Sequence, residues 1–278
     1  MSQMVITGCT SVFENVVALD FFPTLREKAN FKGKICFLSY ECTQEGLARI
    51  EKFDVIIKPM QIVHNWTHSS NYSNLPVIEA IQANPDVTHI MVSDCGDLWF
   101  QKPIDEVFRL CDQGIGQVAE TMHCEDPWFE GVLSRMPVEL QELIRPVVRG
   151  RRMYNSGMVV GERSRLMPFL QCIHDMTVKC AVPSPFGVGQ IIANYLIATR
   201  SDLGFVDLPW TYNYIPQSFP YNVNTAGELC DYDGEVVTVG HNAGERLVPR
   251  FVNGVNINLQ NEEKIGGKWI PKKLLTYL

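Results

Sequence analysis

The chain has 278 residues, of which 46% are hydrophobic and 20% are charged, and its 24 basic and 31 acidic residues give a net charge of -7. Glycine and proline are spread along the chain, so the composition is typical of a globular protein and excludes collagen-like, coiled-coil and largely disordered chains. Because a negatively charged chain repels polyanions, nucleic acid is not expected as a partner. The length admits one or two domains, and we expect one continuous domain.

The cysteines and the N-terminal segment indicate where such a chain works. Nine cysteines lie along the chain without CxxC pairs or zinc-like spacing, which predicts reduced, mostly buried thiols in a reducing compartment. The N-terminal residues lack the basic segment and long apolar run of a signal peptide, and no run reaches the roughly 18 apolar residues of a membrane span. We therefore expect a cytoplasmic protein without a membrane span.

The first half of the chain alternates apolar runs with helical patterns. These patterns predict strands at 4–7, 34–39, 54–57 and 88–92, with helices at 14–28, 45–52 and 75–83 between them. Such alternation predicts a largely parallel sheet with helices on both faces. Ligands bind beyond the carboxyl ends of the strands in such sheets, so the residues that follow each strand are the first candidates for a site.

The second half of the chain is less regular. Its patterns predict a strand at 116–119, helices at 139–147, 165–180 and 189–198, and a strand at 235–239 before a loop-rich tail. No repeat, low-complexity tract or linker marks a domain boundary. The whole chain, 1–278, is therefore expected to form a single domain.

Two aspartates follow the strand predicted at 88–92. Asp94 and Asp97 lie in a turn, and Gly96 is expected to permit the backbone conformation that brings both carboxylates to one side. Paired carboxylate oxygens suit Mg²⁺ or Mn²⁺, whose remaining positions water and phosphate oxygens can fill. Alternatively, Asp94 accepts hydrogen bonds from local amides and Asp97 caps a following helix. The turn alone does not decide between these interpretations.

The residues around these aspartates carry a family resemblance. The segment SDCGDLWFQKP at 93–103 resembles the metal-binding segment of nucleotide-sugar glycosyltransferases of the GT-A fold, most of all the GT8-like branch and its relatives with a DxxD motif. Three further segments follow in the family's order: MYNSGMVVG at 153–161, GQIIAN at 189–194 and VTVGHNAG at 237–244. They are similar to its NSG strand, DQxxxN helix and HxxG segment. Four ordered segments are more specific than any one of them.

The resemblance implies an α/β protein of GT-A fold, with a mostly parallel central sheet flanked by helices. It implies transfer of a sugar from a nucleotide-sugar donor, a UDP-sugar, to a carbohydrate or other hydroxyl acceptor, with Mn²⁺ or Mg²⁺ as cofactor. It further implies retention of the anomeric configuration. Within the single domain, we expect a nucleotide-binding half at 1–110 and a donor-sugar and acceptor half at 111–278.

The resemblance also implies a set of metal ligands. Asp97 would chelate the cation that bridges the donor diphosphate, Asp94 would contact ribose or the metal, and His241 would complete the coordination. Two carboxylates and a neutral imidazole suit Mn²⁺, which would neutralise charge on the departing diphosphate. Without the other segments, His241 would be interpreted as an ordinary loop histidine after the strand predicted at 235–239.

The donor base and ribose are expected at the small residues that follow the first strand and at the end of the second strand. The resemblance implies contacts from Thr7, Gly8, Cys9, Thr10 and Tyr40. The absence of GxGxxG disfavours a dinucleotide-type Rossmann site. A small-residue turn that leads into a helix would also form without any ligand.

Near the C-terminus, the chain departs from the family's diphosphate-binding Lys-Pro. Gly244 and Arg246 are the expected diphosphate contacts, since a guanidinium pairs well with phosphate oxygens. Arg250 could supply the same charge, and either arginine could equally lie on the solvated surface.

Three residues are expected to act on the sugar or the acceptor. By the resemblance, Gln190 lies near the reacting anomeric carbon and Asn155 faces the donor sugar and acceptor. Glu120 is expected in a polar loop that shapes the acceptor site. An edge-strand turn would also explain Asn155, and ordinary loop composition would explain Glu120. An inverting enzyme would need such a carboxylate as general base, whereas the resemblance implies retention.

Two other functions stay open at this point. A nucleotidyltransferase or a nucleotide-sugar hydrolase could use the same acids. A nucleotide-sugar-binding module without transfer is the non-enzymatic alternative. Gly189 favours the binding module, because it stands where the family has an acid that holds hydroxyls of the donor sugar.

Overall fold

The computed structural model describes residues 2–61, 74–180, 186–216 and 218–243, together with four short strands nearer the C-terminus. The chain folds into two compact units, each assembled from separate stretches. Unit 1 comprises Met1–Ile6, Ser70–Ser93 and Asp105–Tyr212, and unit 2 comprises Thr7–Ser69, Asp94–Ile104 and Asn213–Leu278.

The strands alternate with helices through the first half of the chain, as the sequence predicts. In chain order the strands are β1 (Gln3–Thr10), β2 (Lys34–Tyr40), β3 (Ile56–Met60), β4 (His89–Ser93), β5 (Leu98–Phe100), β6 (Ile115–His123), β7 (Arg152–Tyr154), β8 (Met158–Glu162), β9 (Val206–Leu208), β10 (Asn222–Val223), β11 (Leu229–Cys230) and β12 (Val239–His241). Beyond them lie β13 (Phe251–Val252), β14 (Val255–Asn256), β15 (Glu262–Ile265) and β16 (Lys268–Pro271).

The first helix, α1 (Glu14–Val16), continues as two π-helical segments, Val17–Phe21 and Thr24–Lys28. The other helices are α2 (Gln44–Ile50), α3 (Asn74–Gln82), α4 (Asp105–Leu110), α5 (Pro127–Leu133), α6 (Val138–Val148), α7 (Arg163–Cys180) and α8 (Val188–Thr199). Short 3₁₀ turns lie at Glu51–Phe53, Ser201–Leu203 and Trp210–Tyr212. Within the described ranges, none of the helices combines the length and the apolar character that crossing a bilayer requires.

Unit 1 contains a mixed sheet. The first residues of β1 run parallel to β4, β8 runs antiparallel to both β4 and β6, and β7 and β9 pair with β6. Val5, Ile90 and Val160 in the middle of this sheet are fully buried, as expected for strands that are covered on both faces. The helices α5, α6 and α7 all contact α8. They enclose the apolar side of that helix, where Ile191 and Ile192 are fully buried.

Unit 2 contains the end of β1, which approaches β2 closely at Gly8, and β2 runs parallel to β3. A separate two-stranded ladder pairs β5 with β12. The rings of Phe21, Phe22, Phe37 and Phe100 pack edge to face, with centroids 5.4 to 5.7 Å apart. Because Phe100 belongs to β5, this aromatic contact stabilises β5 against the first helix and β2.

The element types predicted from the sequence are largely confirmed. The helices predicted in both halves are present, and β1 to β4 follow the predicted order with shifted ends. The strand predicted at 235–239 is misplaced, since the ladder strand there is β12, and β5 was not predicted at all. Both errors have one cause: these three-residue strands form by pairing with each other across a long stretch of sequence. All nine cysteines are free thiols, and all but Cys42 and Cys172 are buried.

Candidate functional site

The pairing of β5 with β12 brings the acidic segment to the histidine. In this antiparallel ladder Leu98 lies opposite His241. Asp97 directly precedes β5, and its carbonyl oxygen accepts a hydrogen bond of 2.8 Å from the amide of Asn242. Asp97 is thus followed by a strand, so the expectation that it caps a helix is wrong. The backbone register itself places Asp97 beside His241.

Gln101 and Trp99 hold this ladder in place. The side chain of Gln101 donates to the carbonyl oxygens of Leu229 and Val237 at 2.9 and 3.1 Å and accepts from the amide of Leu229 at 2.9 Å. Trp99, which is buried, covers Gly240, where an added Cβ would lie 2.3 Å from the indole ring. Glycine before His241 is therefore a packing requirement of the ladder.

The three predicted metal ligands lie together. Nε2 of His241 lies 3.5 Å from Oδ1 of Asp97 and 4.0 Å from Oδ2 of Asp94, and one ligand atom from each residue lies within 4.8 Å of the others. Bonds from Mg²⁺ to its ligands are about 2.1 Å long, so two ligands of one ion lie roughly 3 to 4 Å apart. The three side chains could hold a single divalent cation.

Exposure rises across this group from the interior to the solvent. His241 is 2% exposed, the Asp97 side chain 17% and the Asp94 side chain 43%. A cation bound there would have protein ligands on its inner side and open positions on its outer side. Water or phosphate oxygens could fill those open positions, as Mg²⁺ and Mn²⁺ require.

Asn213 holds the buried histidine, and the sequence analysis missed it. Its Oδ1 lies 2.8 Å from Nδ1 of His241, and Asn213 is fully buried. The amide of His241 donates to the carbonyl oxygen of Tyr214, whose own amide donates to Val239, both at 2.9 Å. The only signal in the sequence is a lone amide within the aromatic run at 210–215.

Gly96 lies between the two aspartates, but its role differs from the prediction. The two carboxylates lie together, but the backbone of Gly96 does not adopt a positive φ, so the turn does not use the left-handed conformation that glycine favours. An added Cβ would lie 2.7 Å from the ring of Phe13, so glycine is needed for close packing. The neighbouring Cys95 donates through Sγ to the carbonyl oxygen of Gly8 at 3.4 Å. These two contacts fix the acidic turn against β1 and the start of the first helix.

The residues expected at the donor base lie inside strands. Thr7, Gly8, Cys9 and Thr10 belong to β1, which extends to Thr10, and do not form a turn after it. A Cβ on Gly8 would lie 2.6 Å from the carbonyl oxygen of Leu38, so strand packing alone requires this glycine. Thr10 is 8% exposed, and its buried hydroxyl has no hydrogen-bond partner among the residues that the structure describes.

Tyr40 ends β2 and is buried. The nearby thiols differ in acidity. Burial raises the pKa of Cys9 well above its ordinary value. A hydrogen bond from Cys9 lowers the pKa of Cys42. Cys42 in turn donates to the carbonyl oxygen of Cys9 at 3.5 Å.

The predicted sugar-site residues form a second group, within unit 1. Glu120 lies inside β6 and is buried, so the expectation of a surface loop is wrong. Asn155 donates through Nδ2 to Oε1 of Glu120 at 2.8 Å and accepts through Oδ1 from the amide of Gly157 at 2.8 Å. Oε1 of Gln190 accepts from the hydroxyl of Ser156 at 3.0 Å.

Asn194 explains why an asparagine closes the predicted GQIIAN motif. Its side chain accepts from the amide of Tyr154 at 2.8 Å and donates to the carbonyl oxygen of the same residue at 3.0 Å. The asparagine thus pairs with the end of β7 as a neighbouring strand would. This contact fixes α8, and with it Gln190, relative to Asn155 and Ser156.

The remaining predicted contacts follow residue 243 in the chain. Gly244 and Arg246, together with Arg250, lie outside the described residues. The structure therefore brings together Asp94, Asp97 and His241 in one group and Glu120, Asn155 and Gln190 in another.

Comparison with known proteins bears on the fold. No protein-family model and no curated protein matches the chain. Among solved structures, the chain is similar to mouse xyloside xylosyltransferase 1 in its apo form, with a TM-score of 0.56 and 14% sequence identity. The similarity covers 89% of this chain and 100% of that chain. The chain thus has the α/β fold of the GT-A glycosyltransferases, as the sequence predicts.

Proposed function

We propose that this chain is a metal-dependent glycosyltransferase that moves a sugar from a nucleoside-diphosphate sugar, a UDP-sugar, to a hydroxyl acceptor. The observation that carries the proposal is the convergence of Asp94, Asp97 and His241, from two distant segments, in a protein of GT-A fold. Two carboxylates and one imidazole form a donor set that suits Mn²⁺ or Mg²⁺. The resemblance to the GT8-like branch supports the UDP donor.

The three ligands have different tasks in this proposal. His241 belongs to β12 and Asp97 directly precedes β5, and both would bind the cation from the inner side. Asp94 is the most exposed of the three, which suits contact with ribose or the cation. When bound, Mn²⁺ or Mg²⁺ would neutralise the charge that develops on the diphosphate leaving group. Arg246 and Gly244 are the proposed further contacts of that diphosphate.

The group in unit 1 is proposed to recognise the donor sugar. Oε1 of Gln190 already accepts from Ser156, so its Nε2 remains as the donor toward a sugar or leaving-group oxygen. Asn155 is oriented at both ends of its amide by Glu120 and Gly157. Such fixed donors are what electrostatic stabilisation of a transition state requires.

Retention of configuration is the proposed stereochemical course. Glu120 is 7% exposed and its carboxylate accepts from Asn155. A general base must reach the acceptor hydroxyl, and a buried carboxylate that already orients an amide suits a positioning role better. In a retaining course the leaving phosphate assists the acceptor hydroxyl, so no protein base is needed. The donor base is proposed to contact Thr10, whose buried hydroxyl lacks a described partner.

Turnover with a panel of nucleotide sugars and acceptors tests the proposal. We expect Mn²⁺-dependent release of UDP that increases with the correct hydroxyl acceptor. Asp97→Asn should lower the rate at least about 100-fold, because the cation loses a charged ligand. Asp175→Asn is the matched control, since Asp175 is an exposed aspartate on α7. Turnover that survives Asp97→Asn would refute the metal site.

A nucleotide-sugar-binding module is the second candidate, and Gly189 in the first turn of α8 favours it. Glycine leaves that turn without the carboxylate that the resemblance implies for the donor sugar. This candidate predicts binding of a UDP-sugar, measured by calorimetry, without release of UDP under any acceptor. A hydrolase would instead cleave the donor without any acceptor, giving UDP and free sugar or UMP and a sugar phosphate, and a nucleotidyltransferase would release pyrophosphate from a nucleoside triphosphate.

A further inference from the structure

The two nitrogens of the His241 ring have different surroundings. Nε2 is the nitrogen that lies near Asp94 and Asp97, at 4.0 and 3.5 Å. Nδ1 lies 2.8 Å from Oδ1 of Asn213. A carboxamide oxygen only accepts hydrogen bonds, so this contact requires a proton on Nδ1. In the neutral ring, Nε2 then carries the lone pair that a cation needs.

Without such a contact, the ring would favour the other tautomer. Two carboxylates close to Nε2 attract a proton to that nitrogen, because an N–H there would face both negative groups. A ring with its proton on Nε2 offers no lone pair to a cation on that side. Oδ1 of Asn213, which accepts on the Nδ1 side, opposes this preference.

We propose that Asn213 is a positioning residue that fixes His241 in the Nδ1–H tautomer and so presents Nε2 as a cation ligand. This inference rests on the metal site of the proposed function. It assigns no contact with the cation to Asn213, which acts only through the imidazole. Partners of this kind set both the tautomer and the orientation of metal-binding histidines.

The backbone around Asn213 makes it a fixed acceptor. Asn213 is fully buried, and so is the next residue, Tyr214. The backbone of Tyr214 lies beside β12, where its amide donates to Val239 and its carbonyl oxygen accepts from His241, both at 2.9 Å. Its ring packs on Phe219 with centroids 5.3 Å apart. Because Asn213 directly precedes Tyr214, these hydrogen bonds to β12 also fix the position of Asn213 relative to His241.

The tautomer can be measured directly in the cation-free wild-type chain. Long-range ¹H–¹⁵N NMR, recorded at rising pH until the ring ¹⁵N shifts are those of a neutral imidazole, distinguishes the two neutral forms. The chain has six histidines, and the His241 signals are those missing from His241→Gln. We expect the Nδ1–H form. A dominant Nε2–H form would overturn the inference, whether or not any variant folds.

Two variants test the consequence for the cation. Asn213→Leu has a similar volume but no acceptor, and Mn²⁺ affinity measured by calorimetry should fall about 10- to 100-fold. Asn213→Asp keeps an acceptor oxygen, so it should retain the Nδ1–H form and most of the affinity. Thermal unfolding reports whether each variant is folded. Unchanged affinity in folded Asn213→Leu would overturn the inference.

Together, the Mn²⁺ affinities and the tautomer of His241 distinguish failure of this inference from failure of the proposed function on which it rests. Mn²⁺ binding by the wild-type chain that does not depend on Asp97 would overturn the proposed metal site. Asp97-dependent binding together with an Nε2–H ring would leave the metal site standing and remove only the role of Asn213.

Discussion

The two groups of polar residues differ in the distances between their members. In unit 2, Asp94 and Asp97 approach His241 at 4.0 and 3.5 Å, beyond the usual hydrogen-bond length of about 2.7 to 3.2 Å. In unit 1, Glu120 and Asn155 are joined by a hydrogen bond of 2.8 Å.

The difference teaches how each group could bind a ligand. Two acids and an imidazole at these separations leave room for a cation, because a bound ion would lie between the ligands. The side chains of Glu120, Asn155 and Gln190 in unit 1 already make hydrogen bonds within the protein, so they are oriented before any ligand binds. They would bind a ligand through the donors that remain, such as Nε2 of Gln190.

Removing a donor from the group in unit 1 should have a large effect on turnover. Gln190→Ala should lower kcat about 100-fold, the cost of losing one oriented donor to a developing charge. Mn²⁺ affinity should stay within about twofold of wild type, because Gln190 is not a cation ligand. Steady-state kinetics and calorimetry on one preparation measure both quantities. Gln171 is an exposed glutamine on α7, so Gln171→Ala is the control. Loss of Mn²⁺ binding in Gln190→Ala would contradict the separate roles of the two groups.

The β5–β12 ladder beside the three proposed metal ligands can be disrupted without replacing any of them. In Gly240→Ala, the new methyl group would collide with Trp99, so the free energy of unfolding should fall by about 1 to 3 kcal/mol. Mn²⁺ affinity should fall as well, because β12 must move away from β5. Denaturant unfolding and calorimetry measure these effects.

Gly131→Ala is the matched control for that substitution. A Cβ at Gly131, in α5, meets nothing within 4 Å, and alanine favours a helix over glycine by up to about 1 kcal/mol. This variant should be slightly more stable than wild type. Equal stability of Gly240→Ala and wild type would contradict the packing of Trp99 on Gly240.

Glu120→Gln should have a smaller effect, and its size separates two roles. The amide oxygen of glutamine still accepts from Asn155, so a positioning role predicts a loss of turnover below about tenfold. A general base would lose its function, with a loss of about 100- to 10,000-fold. Glu120→Ala should be worse than Glu120→Gln, since Asn155 then loses its acceptor. Turnover at saturating donor decides between the two roles.

The smallest expected difference concerns two thiols. A hydrogen bond from Cys9 lowers the pKa of Cys42, whereas burial raises the pKa of Cys111 to about 12. A lower pKa means a larger thiolate fraction at a given pH, and the thiolate is the nucleophile. At about pH 8, iodoacetamide should therefore label Cys42 well before Cys111, as followed by mass spectrometry of peptides. Cys42→Ser is the control, and faster labelling of Cys111 would contradict the assignment.

The sequence singled out the charged residues of the candidate site but not the residues that support them. Asp94 and Asp97 stand out because they follow a strand directly, and His241 was found through the order of motif segments. Asn213 and β5 left almost no local signal, since each depends on contacts with residues far away in sequence. Strands of three residues owe their existence to pairing, which sequence periodicity does not report.

Glycines and buried acids show a second limit of sequence reasoning. Gly8 and Gly96 were interpreted as conformational or ligand-facing glycines, yet both lie where a Cβ would collide with a neighbouring residue. Glu120 was expected in a polar loop because it follows the strand predicted at 116–119, whereas β6 continues to His123. The partner of Glu120, Asn155, follows β7, and the hydrogen bond from Asn155 offsets the free-energy cost of burying the carboxylate.

Anomalous diffraction from crystals grown with Mn²⁺ and UDP tests the central claim most directly. We expect one manganese peak within about 2.0 to 2.3 Å of a carboxylate oxygen of Asp97 and of Nε2 of His241. UDP phosphate oxygens should complete the coordination on the solvent side, near Asp94. A manganese ion bound elsewhere, or UDP bound with no ion at Asp97 and His241, would contradict it.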